Sequence, residues 1–278
     1  MSSTRNTWLV TGCSTGLGRA LVQVLIERGK QVIATARRPE TLDDLVRGAD
    51  NARVLKLDVT DENEVRTVVA QAEQAFGGID VLVNNAGYGY ISAIEEADEE
   101  DYRALFETNV FGLIAMTRAA LPGMRQRGHG HVVNVSSVGG VMGNPGSGFY
   151  AATKFAVVGF TEALSKEAAH LGIKATVVEP GAFRTDWAGR SLKTPRHPIP
   201  AYEETVHARI KGLSQFSGKQ SGDPVRAAKA IFAAVESPEP PLHLVLGSDG
   251  LRLVRQQLRS LSDELEKWKE QTVSADFQ

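Results

Sequence analysis

Tyr150 and Lys154 are the residues of this chain whose types and spacing offer chemistry most directly. They bound Tyr150-Ala151-Ala152-Thr153-Lys154, a stretch that reads as helix. Four residues of helix advance about 6 Å, little more than one turn. The phenol and the amine therefore share a face, one above the other. Their ordinary pKa values are about 10 and about 10.4. An ammonium beside a phenol favours the phenolate, so the spacing predicts a tyrosine pKa drawn toward neutrality. That is an acid/base device. Taken alone, Y-x-x-x-K equally describes a buried tyrosine and a solvated lysine on an ordinary helix.

A second chemical stretch is Thr11-Gly12-Cys13-Ser14-Thr15-Gly16-Leu17-Gly18. It follows Trp8-Leu9-Val10, a continuous apolar run typical of a strand buried on both faces. Leu17, Ala20, Leu21, Val24 and Leu25 then recur at helical spacing until Gly29. A glycine turn that opens a helix offers free N–H groups and close backbone approach to a phosphate. The same residues match G-x-S-x-G, the nucleophile elbow, with Ser14 as the serine and His243 as the one late histidine in order. An elbow on a first strand would be out of place, and a bare glycine turn is the third reading. A Walker P-loop is excluded because no Lys-Ser/Thr follows the second glycine.

Stepping along the chain, Gln31 to Ala36 reads as a second strand. It ends in Arg37-Arg38, where an NAD site usually places an acid. Two guanidiniums suit a 2′-phosphate, so NADP is expected in preference to NAD. Further strands are expected at 54–57, 80–83, 131–135, 174–178 and 242–246. Helices are expected after Asp61 and from Glu99 to Arg127, the latter interrupted near Gly112 and Pro122. Another carries Tyr150, and one more starts at Asp223-Pro224. Alternating strands and helices predict an α/β fold: a Rossmann-type, doubly wound parallel sheet in three layers. Ligands in such sheets bind at the carboxyl ends of the strands. Residues 11–18, 36–38, 58–59, 84–87, 137 and 150 all fall at such ends.

Composition sets the frame. The 278 residues, 42% apolar and 23% charged with 27 glycines, fit one large globular α/β domain. A net charge of −2 offers no bulk attraction to nucleic acid or anionic membrane. No apolar run reaches bilayer-spanning length, and residues 1–7 lack signal-peptide character, so membrane insertion is not expected. The single cysteine, Cys13, excludes an internal disulfide and fits a reducing, cytoplasmic compartment. His129 and His131 flank Gly130 and read as loop residues; no metal site is expected.

Over about residues 5 to 250 the sequence resembles the classical short-chain dehydrogenases/reductases. The resemblance rests on Thr11-Gly12 through Gly18, Asp58, Asn84-Asn85-Ala86-Gly87, Asn109, Ser137, Tyr150 with Lys154, and Pro180-Gly181 with Thr185. It implies that Tyr150 is the proton donor or acceptor. Lys154 holds the nicotinamide ribose and lowers the tyrosine pKa. Ser137, thirteen residues before Tyr150, hydrogen-bonds the substrate oxygen and matches that spacing better than Ser136. Asn109 seats a water that links Lys154 to solvent. Gly12, Ser14, Thr15, Gly16, Leu17, Gly18, Asn85, Ala86 and Gly87 fall to the cofactor, as do Pro180 and Gly181. Asp58 and Val59 bracket the adenine, Thr185 contacts the carboxamide, and Arg37 marks an NADP-preferring member. The implied reaction is hydride transfer between NADP(H) and a carbonyl or alcohol, with NADPH favouring reduction. A non-catalytic NADP-sensing module on the same fold is the rival, and an intact Ser137, Tyr150 and Lys154 argues against it.

Two regions depart from or extend the pattern. The last strand runs into Gly247-Ser248-Asp249-Gly250 rather than Asp-Gly-Gly, nearer to the retinol- and hydroxysteroid-dehydrogenase-like branch. That puts the usual tetramer packing in doubt, and a homodimer through helices 99–127 and 149–170 is expected from the resemblance. Residues 183–222 mix apolar side chains, Trp187, Leu213 and Phe216 among them, with three prolines, and read as a small substrate lid. The cover points to a largely apolar substrate. A single domain thus divides into a core of 5–182 and 223–250, this lid, and a 251–278 tail. In the tail Leu251, Val254, Leu258, Leu261, Leu265 and Trp268 alternate by three and four, a seam expected to dock on its own domain or a partner. Ser274 to Gln278 are expected to fray.

Overall fold

The computed structural model describes residues 6–188 and 192–277. Residues 189–191 of the expected lid, the first five residues and Gln278 lie outside the described residues. Among the described residues the strands are β1 Thr7–Val10, β2 Gln31–Ala36, β3 Ala52–Lys56, β4 Val81–Asn84, β5 Gly89–Tyr90, β6 Gly130–Val135, β7 Ile173–Pro180, β8 Leu192–Lys193 and β9 His243–Leu246. The helices are α1 Gly16–Glu27, α2 Asp43–Val46, α3 Glu62–Phe76, α4 Glu99–Phe106, α5 Gly112–Arg127, α6 Gly148–Ala168, α7 Ala208–Phe216, α8 Pro224–Glu236, α9 Ser248–Lys267 and α10 Lys269–Val273.

Seven strands form one all-parallel sheet in the order β3-β2-β1-β4-β6-β7-β9. The chain winds outward from β1 one way to β3, then returns to β4 and winds the other way. The crevice between β1 and β4 is therefore the topological switch point. Period-2 alternation splits the strand residues between two cores. Trp8 and Val10 pack with α1 and α8 through Leu21, Leu25, Ile231 and Val235. Leu9 and Leu82 pack on the other face with Val68, Met116 and Leu164 of α3, α5 and α6. This is the three-layer doubly wound sheet that the alternation of strands and helices predicts.

Local signals act as expected at several ends. Asp61 caps α3, accepting from the N–H groups of Asn63 and Glu64 at 2.8 and 3.2 Å. Gly77 ends it with φ +77°. Asp223 caps α8, with Pro224 at the first position.

Other expectations need correction. Pro122 does not interrupt its helix: it lies inside α5 on the exposed side. The break before Gly112 is a π turn, Glu107–Phe111. His131 belongs to the expected 131–135 strand rather than to a loop: it is fully buried in β6 on the Thr176 hydroxyl. The tail seam does not dock on its own domain: Val254 is buried, but Leu258, Leu261, Leu265 and Trp268 are 49–60% exposed. Ser274, Ala275 and Asp276 continue backbone bonding to Glu270, Thr272 and Val273. The pair β5–β8 was not foreseen from the sequence. It joins the segment after β4 to the 192–216 region.

Candidate functional site

Helix α6 starts where β6 and its following loop deliver it. Beneath it runs a buried hydrogen-bonded chain. The Asn84 amide donates to Thr117 Oγ1 and to Asn134 Oδ1, both at 2.9 Å, and the Asn134 amide donates to Thr161 Oγ1 at 2.9 Å. Polar groups satisfied in this way fix α5, β4, β6 and α6 in one register. The Ser136 hydroxyl donates to Lys154 O at 3.0 Å and binds β6 to α6. Ser137 faces the other way, its hydroxyl lying with the Tyr150 ring beside Gly139. The hydroxyl accepts from Gly139 N at 3.1 Å.

Lys154 is buried, and its ammonium donates to Val135 O at 2.9 Å. It stands 5.7 Å from the Tyr150 ring centroid. Burial draws the lysine down to about 8. Burial also pushes the Tyr150 phenol up to about 12, against which the Ser137 hydroxyl pulls weakly. The predicted fall of the tyrosine toward neutrality is thus corrected. Helical spacing brings the two side chains together, but desolvation outweighs the attraction between them.

The π turn turns Asn109 inward, as the extra residue of such a turn does. Its side chain holds Tyr88 through both backbone groups, at 3.0 Å each, and donates to Thr153 Oγ1 at 3.3 Å. A Cβ on Gly87 would meet Asn109 Oδ1 at 3.0 Å and Lys154 Nζ at 3.8 Å, so the three lie side by side.

Across the switch-point crevice stands the glycine turn. Thr11 Oγ1 accepts from the N–H groups of Asn85 and Ala86, both at 3.0 Å. The Asn85 amide in turn donates to the carbonyls of Thr11 and Gly12 at 3.0 and 2.9 Å. Asn85 therefore shapes the turn. Gly12 has φ +69°, and a Cβ there would lie 2.7 Å from Ala86 Cα. On Gly18 a Cβ would run into the Asn85 amide and into Gly12 O at 2.7 Å. Helix α1 then begins at Gly16 with no acid in its first turn and no side chain on its first N–H groups. That leaves donors and the positive dipole end for an anion. Thr185 lies against this turn, 3.4 Å from where a Gly16 Cβ would be.

Cys13 and Ser14 offer no nucleophile. The Cys13 thiol is buried, bonded to Val10 O at 3.1 Å and pushed up to about 12 by burial. His243, the base an elbow would need, sits at the start of β9 with Glu179 and Glu162. Ser14 lies at the opposite, carboxyl end of the strands.

A single cavity of about 1500 Å³ joins these parts. It runs from Arg37, Arg38, Asp58 and Val59, past Ser14 to Leu17 and Ala86 to Gly87, to Ser137, Tyr150 and Lys154, with Pro180, Gly181 and Thr185 alongside. Of the predicted residues, Gly18 and Asn109 do not line it and stand behind the wall. Arg37 and Arg38 are exposed and make no ion pair among the described residues. Asp58 is engaged by the backbone and hydroxyl of Thr60 at 3.0 and 2.8 Å. The far end adds residues that motif reading did not single out: Tyr88, Lys193, Arg209 and Arg252. Trp187 tilts over Tyr150 with ring centroids 5.3 Å apart. Helical spacing in 208–216 was the available signal for Arg209, but it does not say which face is inward.

The comparisons bear on this architecture. A family model described as short chain dehydrogenase matches residues 6–196. The chain belongs to the short-chain dehydrogenase family. It is 41% identical over 270 residues to the oxidoreductase BOA17 of Botryotinia fuckeliana, covering 96% of this chain and 98% of that one. The structure of a short-chain dehydrogenase from Streptomyces avermitilis superposes with a TM-score of 0.91 at 43% identity, covering 98% of this chain and all of the other. A serine dehydrogenase complexed with NADP+ matches at 0.75 and 28%, covering 86% and 94%. A Burkholderia phymatum member in complex with NAD matches at 0.82 and 25%, covering 96% of each. The chain is therefore an oxidoreductase of this family, and two of these structural neighbours are complexes with NADP+ and NAD respectively.

The cavity of this protein fits that group. The bare N-terminus of α1 and the two glycines whose Cβ atoms would collide match a pyrophosphate and a close backbone approach in turn.

Proposed function

We propose that the protein is an NADP(H)-dependent reductase of a carbonyl substrate, an aldehyde or a ketone. The observation that carries the reading is one continuous cavity with an anion-binding turn and two free arginines at one end and Ser137, Tyr150 and Lys154 at the other. A dinucleotide held along this cavity would supply the hydride that the carbonyl carbon takes up. The Tyr150 hydroxyl gives its proton to the oxygen as the C=O π pair becomes an alkoxide lone pair, and the Ser137 hydroxyl stabilises that charge. Lys154 then returns a proton toward the phenolate, and Asn109 holds Tyr88 and Gly87 in place around it. A phenol held near 12 is protonated at neutral pH, the form that reduction consumes.

Gly12, Ser14, Thr15, Gly16 and Leu17 would hold the pyrophosphate, Arg37 and Arg38 the 2′-phosphate, Asp58 and Val59 the adenine, and Thr185 with Pro180 and Gly181 the nicotinamide end. Residues 183–222 act as the lid, with Trp187, Leu213 and Phe216 turned to the cavity. This apolar wall, with the long tail helix, favours a place near the retinol- and hydroxysteroid-dehydrogenase-like branch. Exposed Phe111 and Phe155, at 54% and 47%, favour a homodimer across helices 99–127 and 149–170. Among the described residues no helix is long and apolar enough to cross a membrane. The buried free Cys13 fits a cytoplasmic setting.

The test is a fluorescence titration with NADPH and with NADH side by side. Tight binding of NADPH alone is expected. Preference for NADH would overturn the assignment of Arg37 and Arg38, and failure to bind either would overturn the reductase reading.

A further inference from the structure

Helix α7 presents Arg209, Leu213 and Phe216 to the cavity at positions i, i+4 and i+7, one face of a helix. Two of the three are apolar. The third is a half-buried guanidinium whose position is fixed: Nη1 donates to Pro145 O at 2.6 Å. Pro145 belongs to the loop between Ser137 and Tyr150, so Arg209 is tethered at the reacting end of the cavity, away from Arg37 and Arg38.

Its neighbours on the same segment are neutralised. Lys193 pairs with Asp101, Arg196 with Asp98, Glu100 and Asp101, and Lys211 with Glu203. Arg209 has no such partner among the described residues. None of the cavity's carboxylates (Asp58, Glu107, Asp186 and Asp249) makes an ion pair with it. An arginine carries five N–H donors in a planar fork, and one is spent on Pro145. Burial disfavours its charge. An unpaired cation in a partly dry wall is costly unless a ligand supplies the anion.

We propose that the substrate carries a carboxylate, bound by Arg209, at the far end of an apolar body that lies along Leu213 and Phe216 from the carbonyl. The assignment rests on the carbonyl-reductase reading and narrows its substrate to oxo-acids with an apolar spacer.

The test compares octanoate with 1-octanol by calorimetric titration into the NADPH-loaded protein, and 8-oxooctanoate with octanal as substrates. Wild-type protein is expected to bind octanoate roughly 10- to 100-fold more tightly than the alcohol, the range of a hydrogen bond to a charged group. Arg209→Gln should abolish that preference and lower turnover of 8-oxooctanoate far more than that of octanal. Arg209→Lys should restore part of it, and the loss with 8-oxooctanoate should fall on KM rather than kcat. No octanoate preference in wild type, an undiminished preference in Arg209→Gln, or an equal loss for both aldehydes would overturn the proposal. An Arg209-dependent octanoate preference without turnover of either aldehyde would support the anion site and strike the reductase reading instead. Octanal turnover without octanoate preference would do the reverse.

Discussion

Lys154→Met tests the electrostatics of the site without any ligand. Lys154 is 6% exposed, and its folded pKa is about 8 against an ordinary 10.5. Between those values the unfolded chain binds more protons than the folded one, so the wild-type protein gains stability as pH rises through that window. The difference, at about 1.4 kcal/mol per pH unit, amounts to about 3 kcal/mol of destabilisation at pH 7, falling to about 2 kcal/mol at pH 9. Methionine removes this cost. It also strips Val135 O of its 2.9 Å donor, a loss of about 1–3 kcal/mol. The variant should therefore be as stable as wild type at pH 7, or more stable by up to about 2 kcal/mol. Turnover should be lost.

The assay is urea unfolding followed by circular dichroism at pH 7 and pH 9 for both proteins. Groups common to the two cancel in the difference. From pH 7 to pH 9 wild type should gain about 1 kcal/mol on the variant. A variant destabilised by several kcal/mol at pH 7, with the difference unchanged at pH 9, would refute the account of Lys154 as a cation held against desolvation.

Three further outcomes follow from the geometry. Tyr150→Phe should lower kcat by about 10²–10⁴-fold with NADPH affinity unchanged in a fluorescence titration. Replacing both Arg37 and Arg38 by alanine should weaken NADPH by roughly 10- to 100-fold and leave NADH unaltered, each measured as a Kd. Glu96 holds residues 192–216 down: its carboxylate, with no exposed side-chain surface, accepts from Ile199 N and His207 Nε2, both at 2.6 Å, and from Ala93 N at 3.1 Å. Burial pushes the Glu96 carboxyl up, but these donors outweigh it and hold it below 4.5, while Glu203 and Glu96 hold His207 above 6.5. The carboxylate's contribution is present above pH 4.5 and lost as pH falls below that. The imidazolium's is complete below pH 6.5 and lost as pH rises through its raised value. KM for substrate should therefore climb on the alkaline side, and Glu96→Gln should raise it across the range, as read from pH–KM profiles.

The strand cores were legible because both faces of the sheet are covered. Trp8-Leu9-Val10 and Val81-Leu82-Val83 are apolar without alternation, which a parallel sheet between two helix layers requires. The turn at Gly12 was legible because φ +69° and the approach of Ala86 restrict the position to glycine. What escaped depends on contacts between distant segments. Glu96 and Ile199 are 103 residues apart. Nothing in the local pattern of either announces the bond, or the turning of Arg209 inward that goes with it. Pro122 misled for a related reason: a proline breaks a helix only where its neighbours do not over-determine the path, and α5 is pinned by Met116, Ala120 and Met124 in the core.

The tyrosine shows where sequence reasoning reaches its physical limit. Spacing places Lys154 one turn from Tyr150, and attraction between opposite charges then predicts a lowered pKa. Attraction and desolvation scale oppositely with burial, however, and spacing says nothing of burial. In the folded chain both groups lie inside, the ammonium turns to Val135 O, and desolvation moves both toward their neutral forms, the phenol to about 12 and the amine to about 8. The group that titrates nearest neutral pH is then the lysine. A protonated phenol beside such an amine accords with the reduction proposed above, in which Tyr150 donates its proton.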